Sequence, residues 1–254
     1  MIKNKLLIYI IIIFILITLI FIIKNKNKNI ETLKEHEQLH NIVVVEPRNH
    51  TNLEYFINHI IDKFPNTPIQ IFHSNKNKDK LEKLRKNLPQ IKLVNIYIDN
   101  FSFKEYNKYV SSKKFWEQVH GENILFMELD SCLCNNSDKN ISNFLEYDYV
   151  GSPYKNRPYG GNSGFSLRKK SKMIKFIDKC KYKGKNTDDY FTSSCNNYNL
   201  NIPSSNESKY FGFETVYDEN IIPIGVHKPW GYLNQKDYAN LKKKCPCLNI
   251  IDKY

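Results

Sequence analysis

Short apolar runs alternate with helix-period segments between residues 42 and 127. IVVVE at 42–46 reads as a buried strand. Leu53, Phe56, Ile57, Ile60 and Ile61 then recur at helical spacing, with Thr51 or Asn52 placed as a cap. Ile69–His73 predicts a second strand, and Asp79–Asn87 a short polar helix stopped by Pro89. Ile91–Ile98 predicts a third strand. Phe103–Val119 predicts one long helix, opened by Ser102 with Glu105 at capping-box spacing. Asn123–Met127 is a fourth strand, apolar after its first residue. This alternation predicts a parallel α/β sheet. Beyond residue 130 the rhythm changes. Tyr147–Gly151 and Gly164–Arg168 read as short strands around a Gly-rich loop, and Ser171–Tyr182 as a helix carrying Met173, Ile174 and Ile177 on one face. The C-terminal third is aromatic and irregular.

The N-terminus follows a different pattern. Leu6–Ile23 is 18 residues without a charge, and roughly 17–25 apolar residues span a bilayer as a helix. Lys3 and Lys5 precede it, Lys24, Lys26 and Lys28 follow it, and no small-residue cleavage site comes after it. The expected organisation is a short tail at 1–5, an uncleaved transmembrane anchor at 6–23, a polar stalk at 24–40 and a single globular domain at 41–254. The flanking lysines leave the orientation open.

Composition narrows the class. The 254 residues carry 38 Lys+Arg against 26 Asp+Glu, a net charge of +12. At 41% hydrophobic the chain is too apolar for a disordered one, and its 9 Gly and 10 Pro exclude a collagen-like one. The single Ala among many Ile, Lys and Asn indicates an AT-rich genome, which accounts for part of the basic charge. No RNP, homeodomain or zinc-finger pattern is present, so no nucleic-acid partner is expected. The six cysteines favour a disulfide framework if the domain is lumenal, with reduced thiols as the alternative. Their C-x-C spacings are not those of a zinc site.

Several places can carry chemistry. Glu128-Leu129-Asp130-Ser131 ends the fourth strand, where ligands of open α/β sheets bind. Two hard oxygen ligands there suit Mg²⁺ or Mn²⁺, and the plain alternative is a turn with a helix cap. Gly160-Gly161-Asn162-Ser163-Gly164 allows backbone to approach a ligand closely, or is an ordinary turn into a strand. Asp188 and Asp189 open an aromatic helix, either as dipole stabilisers or as a general base. In Val226-His227-Lys228-Pro229-Trp230 the histidine is a metal ligand or a structural residue, and Trp230 stacks on a sugar or fills core.

Taken in order, VVVEPR, FHS, FWEQVHGENILFMELDS, FLEYDYVGSPY, GGNSGFSLR, DDYF and HKPW resemble glycosyltransferases of the GT-A fold. More closely, they resemble a glycosyltransferase-like family of unknown function with members in large DNA viruses, fungi and bacteria. The resemblance implies a GT-A-like, Rossmann-type mixed sheet flanked by helices. It implies a nucleotide-diphosphate sugar donor, a glycan or protein acceptor and a divalent metal, Mn²⁺ or Mg²⁺. Asp130, Glu128 and His227 would hold the metal, Asp130 more firmly because the family's first acid is Asp. Asp188 and Asp189 would supply or orient the base. Gly160, Gly161 and Asn162 would line donor and acceptor, and Arg48 would contact the nucleotide. Lys228 and Arg168 are further candidate phosphate contacts, with a solvated surface position as the alternative. The competing class is a non-catalytic, anchored carbohydrate-binding or assembly module of the same fold. A metal-dependent phosphoesterase fits less well, because such sites cluster more acids and histidines.

Overall fold

A computed structural model of the chain describes residues 17–24, 38–195 and 198–251. The chain divides into two units, Met1–Gln38 and Leu39–Tyr254. In the first, residues 17–24 are helical with exposed side chains. The remainder of the expected anchor, 6–16, and most of the expected stalk, 25–37, lie outside the described residues. Among the described residues no helix is long and apolar enough to cross a membrane.

The second unit begins with strand β1 (Asn41–Val45), helix α1 (Leu53–Lys63), β2 (Ile69–His73), α2 (Lys78–Asn87) and β3 (Ile91–Asn95). Helices α3 (Phe103–Val110) and α4 (Lys113–Gln118) lead into β4 (Asn123–Met127), β5 (Ser131–Leu133) and β6 (Tyr149–Gly151). Next come β7 (Phe165–Lys169), α5 (Lys170–Lys179), α6 (Thr187–Thr192) and α7 (Ser205–Phe211). β8 (Gly212–Phe213), β9 (Gly225–His227), α8 (Gln235–Lys244) and α9 (Leu248–Ile251) follow.

The main sheet has the order β3-β2-β1-β4-β7-β6. β3, β2, β1 and β4 are parallel, while β7 runs antiparallel to both β4 and β6. The sheet is therefore mixed rather than all parallel. Burial of both faces explains why β1 and β4 are apolar after their first residue, an asparagine in each. Ile42, Val44, Leu125 and Met127 pack into a core that includes Phe56 and Ile60. Val43, Val45, Ile124 and Phe126 face the opposite core, around Phe115, Trp116 and Phe176.

Three local readings change in the folded chain. The third strand ends at Asn95 instead of Ile98, because the Asn95 Oδ1 accepts from the Tyr97 N–H at 2.9 Å and Tyr97 sits at φ 57°. That Asx turn leaves the strand geometry. The long helix is two helices. Ser112 Oγ accepts from the Phe115 N–H at 3.2 Å and so caps a new helix, while Trp116 Nε1 donates to the Val110 carbonyl at 3.0 Å across the break. Asn52 stands at the start of α1, but its side chain makes no capping bond.

The C-terminal part, irregular by sequence, contains a second sheet of order β5-β9-β8. Its strands are two or three residues long, too short to carry a period-2 signal. Disulfides join Cys132 to Cys247 and Cys134 to Cys245, and a third joins Cys180 to Cys195. The C-x-C that begins on β5 and ends just after it turns both sulfurs to one face, where the second C-x-C meets them. Phe213, Val226, Leu241 and Leu248 pack around this pair, with Trp230 against the same cluster.

Replacing Cys134 and Cys245 together with serine will lower stability by about 2–5 kcal/mol, read by chemical unfolding of the oxidised protein. An unchanged midpoint would show that this bridge does not hold the C-terminal segment.

Candidate functional site

The strand order sets the site's position. β1 leads to β2 on one side, and β4 lies on its other side, so the sheet has a switch point between β1 and β4. Beyond the carboxyl ends of these strands such sheets leave a crevice. A cavity of about 340 Å³ lies there, with Glu46, Arg48, Phe101, Tyr106, Glu128 and Asp130 on its walls. These residues come from the segments that follow β1, β3 and β4.

Glu128 and Asp130 follow β4 directly. The Glu128 N–H donates to the Gly164 carbonyl at 2.8 Å, and the Asp130 carbonyl accepts from the Lys228 N–H at 2.9 Å. Antiparallel pairing of β5 with β9 sets Ser131 opposite His227. This register carries the imidazole to the two acids. His227 Nε2 lies 3.1 Å from Asp130 Oδ1 and 3.7 Å from Glu128 Oε2. Ligand atoms of Glu128, Asp130 and His227 all lie within 4.8 Å of one another.

Gly164 makes room for this arrangement. A Cβ there would lie 2.2 Å from His227 Nε2, a distance that no packed side chain tolerates. The function of this glycine is thus approach to an imidazole, and its φ is not positive.

The three residues fit a divalent cation. His227 Nε2 is buried and has only the acids Asp130 and Glu128 in front of it among the described residues. Its other nitrogen, Nδ1, lies 3.1 Å from Glu214 Oε1, the orienting contact that metal-bound histidines usually have. Glu214 is itself buried and its Oε2 accepts from Asn162 Nδ2 at 2.7 Å. Burial raises the Glu214 carboxyl above its ordinary range, and His227 opposes that rise. Burial alone would lower the His227 pKa, but Asp130, Glu128 and Glu214 outweigh it and hold the imidazolium well above its ordinary value. Burial would likewise raise the Asp130 carboxyl, yet His227 and then Lys228 pull it down. Three carboxylates around one imidazole leave excess negative charge in a low-dielectric place, which a cation offsets.

Tyr106 closes the cavity side by donating to Glu128 Oε1 at 2.7 Å. Burial, with Glu128 adding to it, pushes its hydroxyl well above the tyrosine range, so it stays a neutral donor. Arg48 is half-exposed on the wall, and its Nε and Nη2 bind the buried Glu46 at 2.8 and 2.6 Å.

Asp188 and Asp189 open α6, which is docked by Asn107. Its Oδ1 accepts from the Thr187 N–H at 2.7 Å and the Thr187 hydroxyl at 2.9 Å. Asp188 accepts from the Tyr154 hydroxyl and, at 2.6 Å, from Ser163 Oγ. Asp189 is paired with Arg157. Tyr154 also lies 3.4 Å from Asn162 Nδ2. A chain of polar contacts therefore runs from Asp188 through Tyr154, Asn162 and Glu214 to His227.

A Cβ at Gly160 or Gly161 would run into Ser208 or Thr192, so packing requires glycine at both positions. Of that turn Asn162 and Ser163 reach the network, Ser163 through Asp188. Arg168 is not a surface cation: it is 1% exposed. Its guanidinium stands 4.4 Å from the Phe126 ring centroid and 5.2 Å from that of Tyr149, and it donates to the Ser163 carbonyl at 2.8 Å. It supports the segment that carries Ser163. Lys228 is exposed beside Asp130 and left-handed at φ 44°. Glu214, Tyr106, Tyr154 and Asn107 escaped the sequence reading. The one signal was a lone carboxylate, Glu214, inside the apolar stretch FGFETV.

Two substitutions probe the arrangement. Gly164→Ala displaces the imidazole and Glu214→Gln removes its orienting charge. Each will weaken Mn²⁺ binding by about 10–100-fold, read by calorimetry with circular dichroism as the check on folding. Unchanged affinity in both would dissociate His227 from any bound metal.

Comparison with known proteins gives one family. Residues 90–231 match the family described as "Protein of unknown function (DUF5672)". No curated protein matches the chain. Among solved structures the chain is similar to 4-diphosphocytidyl-2C-methyl-D-erythritol synthase from Anaerococcus prevotii DSM 20548, at 9% identity and TM-score 0.42, covering 61% of this chain and 83% of that one. It is similar to the glycosyltransferase GlyE of Streptococcus pneumoniae TIGR4 at 11% identity and TM-score 0.45, covering 79% of this chain and 56% of that one. With the apo form of GlyE the figures are 12% and 0.38, covering 56% of this chain and 38% of that one. The match at residues 90–231 spans more than half of the sequence, and the chain belongs to the DUF5672 family.

Proposed function

We propose that the chain is a GT-A-type glycosyltransferase that takes a nucleotide-diphosphate sugar with a divalent metal, held at a membrane by its N-terminal apolar run. One observation carries the reading. A buried imidazole nitrogen faces two carboxylates, 3.1 and 3.7 Å away, at the carboxyl end of β4, at the edge of the cavity at the switch point. One nitrogen and two oxygens favour Mn²⁺ over Mg²⁺, because imidazole is softer than a carboxylate or water. Glu128 and Asp130 are partly exposed, with side-chain exposures of 28% and 35%, which leaves coordination positions open toward the cavity.

Sugar transfer breaks the bond from the anomeric carbon to the diphosphate and forms one to the acceptor oxygen. The metal, when bound, neutralises the charge that develops on the departing diphosphate. Asp130 and His227 hold it, Glu128 completes the set, and Glu214 and Tyr106 fix the orientation of His227 and Glu128. Lys228, beside Asp130, adds positive charge for the diphosphate. Arg48 lies on the cavity wall, where a nucleotide would pass. Asp188 takes the proton of the acceptor hydroxyl if the configuration inverts. Asp189, engaged by Arg157, positions the same turn. Gly160 and Gly161 are packing positions in this scheme.

The apolar run Leu6–Ile23 supports the membrane part of the reading. The disulfides support a lumenal catalytic domain, since such bonds persist in oxidising compartments.

Donor hydrolysis by the full chain, screened over nucleotide sugars with and without Mn²⁺, tests the activity. Turnover should require the metal and fall by at least about 10²-fold in Asp130→Asn, as expected when a charge-stabilising group is lost. Metal-independent turnover, or full activity in the folded variant, would remove the assignment. Absence of any Mn²⁺-dependent nucleotide binding would favour the non-catalytic module. For the anchor, the full chain should resist carbonate extraction from membranes and a variant lacking residues 6–23 should not; release of both would contradict it.

A further inference from the structure

A second cleft opens on the far end of the polar chain from the first cavity's acids. It measures about 430 Å³ and is lined by Tyr154, Lys155, Asn156, Arg157, Thr215 and Tyr232. Two segments tie it to the site. Thr215 follows Glu214, and its Oγ1 accepts from the Lys155 N–H at 3.2 Å and donates to the Pro153 carbonyl at 3.2 Å. Tyr232 follows the short turn Pro229–Gly231, which begins just after His227. Tyr154 enters from the floor, with its hydroxyl on Asp188. The cleft therefore shares residues or direct neighbours with both the base candidate and the metal candidates.

Its chemistry differs from that of the first cavity. The first is walled by Glu46, Arg48, Glu128 and Asp130; the second has no carboxylate among its lining residues and carries Lys155 together with Arg157, whose Nη2 is paired with Asp189. The Arg157 guanidinium stands 4.9 Å from the Tyr154 ring centroid, which holds that ring and the charge together. Tyr232 is 51% exposed, which leaves part of a large aromatic face open to solvent. Aromatic faces bind the C–H faces of sugars, and fixed cations bind phosphate or carboxylate oxygens.

We propose that this second cleft is the acceptor subsite and that it selects a saccharide bearing a phosphate or a carboxylate. Tyr154 and Tyr232 take the sugar ring, and Lys155 takes the anion, with Arg157 shared between that anion and Asp189. The word acceptor rests on the transferase reading above; the selection of an anionic saccharide rests on the cleft alone.

The test is a ligand-observed NMR titration of the full chain with the phosphates and uronates of glucose, galactose and mannose. The neutral sugars and inorganic phosphate serve as comparisons, and all are measured with Mn²⁺ and UDP present and absent. At least one anionic sugar should bind saturably, and its neutral parent and inorganic phosphate about tenfold more weakly. Preference for the phosphates or for the uronates names the source of the charge. Lys155→Ala and Tyr232→Ala, both at exposed positions, should each weaken binding by about tenfold. The proposal is overturned if neutral sugars or inorganic phosphate bind as well as the anionic sugars, if both variants bind like the parent, or if no probe binds. Titration of the same protein with UDP and GDP, with and without Mn²⁺, separates the two readings. Anionic sugars that bind without any metal-dependent nucleotide leave the cleft and remove the donor. The converse removes the cleft alone.

Discussion

The pairing of β5 with β9 is the constraint on which the site depends. It sets Ser131 opposite His227 and, one residue further, joins Lys228 to the Asp130 carbonyl. β5 is three residues long, and so is β9, and a ladder that short has few hydrogen bonds of its own. Two disulfides hold β5 to the C-terminal segment, and Gly225 allows the Phe165 ring against β9 where any side chain would clash. The strength of the site is thus borrowed from covalent bonds and packing outside it. The same logic gives Gly164 its place, since the imidazole occupies the volume that a Cβ would take.

Charge balance explains the remainder of the geometry. Glu128, Asp130 and Glu214 surround one imidazole, and each carboxylate has a further partner: the Tyr106 hydroxyl, the charge of Lys228, and the Asn162 amide. Such a cluster is costly to desolvate unless its charge is offset. The polar chain from His227 to Asp188 means that the acids near the first cavity and the tyrosine of the second cleft share hydrogen-bonded neighbours. Arg168, buried among aromatic rings and holding the Ser163 carbonyl, gives that chain a rigid support.

The parallel half of the sheet was legible in the sequence because β1, β2 and β4 are buried on both faces and are rich in Val, Ile, Leu and Phe. β2 and β4 have the predicted bounds for that reason. The third strand and the long helix misled at single residues, Asn95 and Ser112, whose side chains bond backbone and end or restart an element. The second sheet was illegible because its strands are shorter than the period that reveals a strand. Glu128 and Asp130 stood out through their place after β4, and His227 only through family likeness, since nothing local marks a histidine as facing acids far away in sequence. Glu214 and Asn107 act by tertiary contact alone. Arg168 was misjudged because alternation on β7 does not tell a solvated face from one covered by Phe126, Tyr149 and Phe191.

The central claim is that a cation joins His227 to the acids after β4. Electron spin-echo spectroscopy of the Mn²⁺-loaded full chain addresses it directly. The account predicts nuclear modulation from one imidazole nitrogen, lost in a folded His227→Gln variant. A manganese centre with no nitrogen coupling, or one whose coupling survives that substitution, would contradict it.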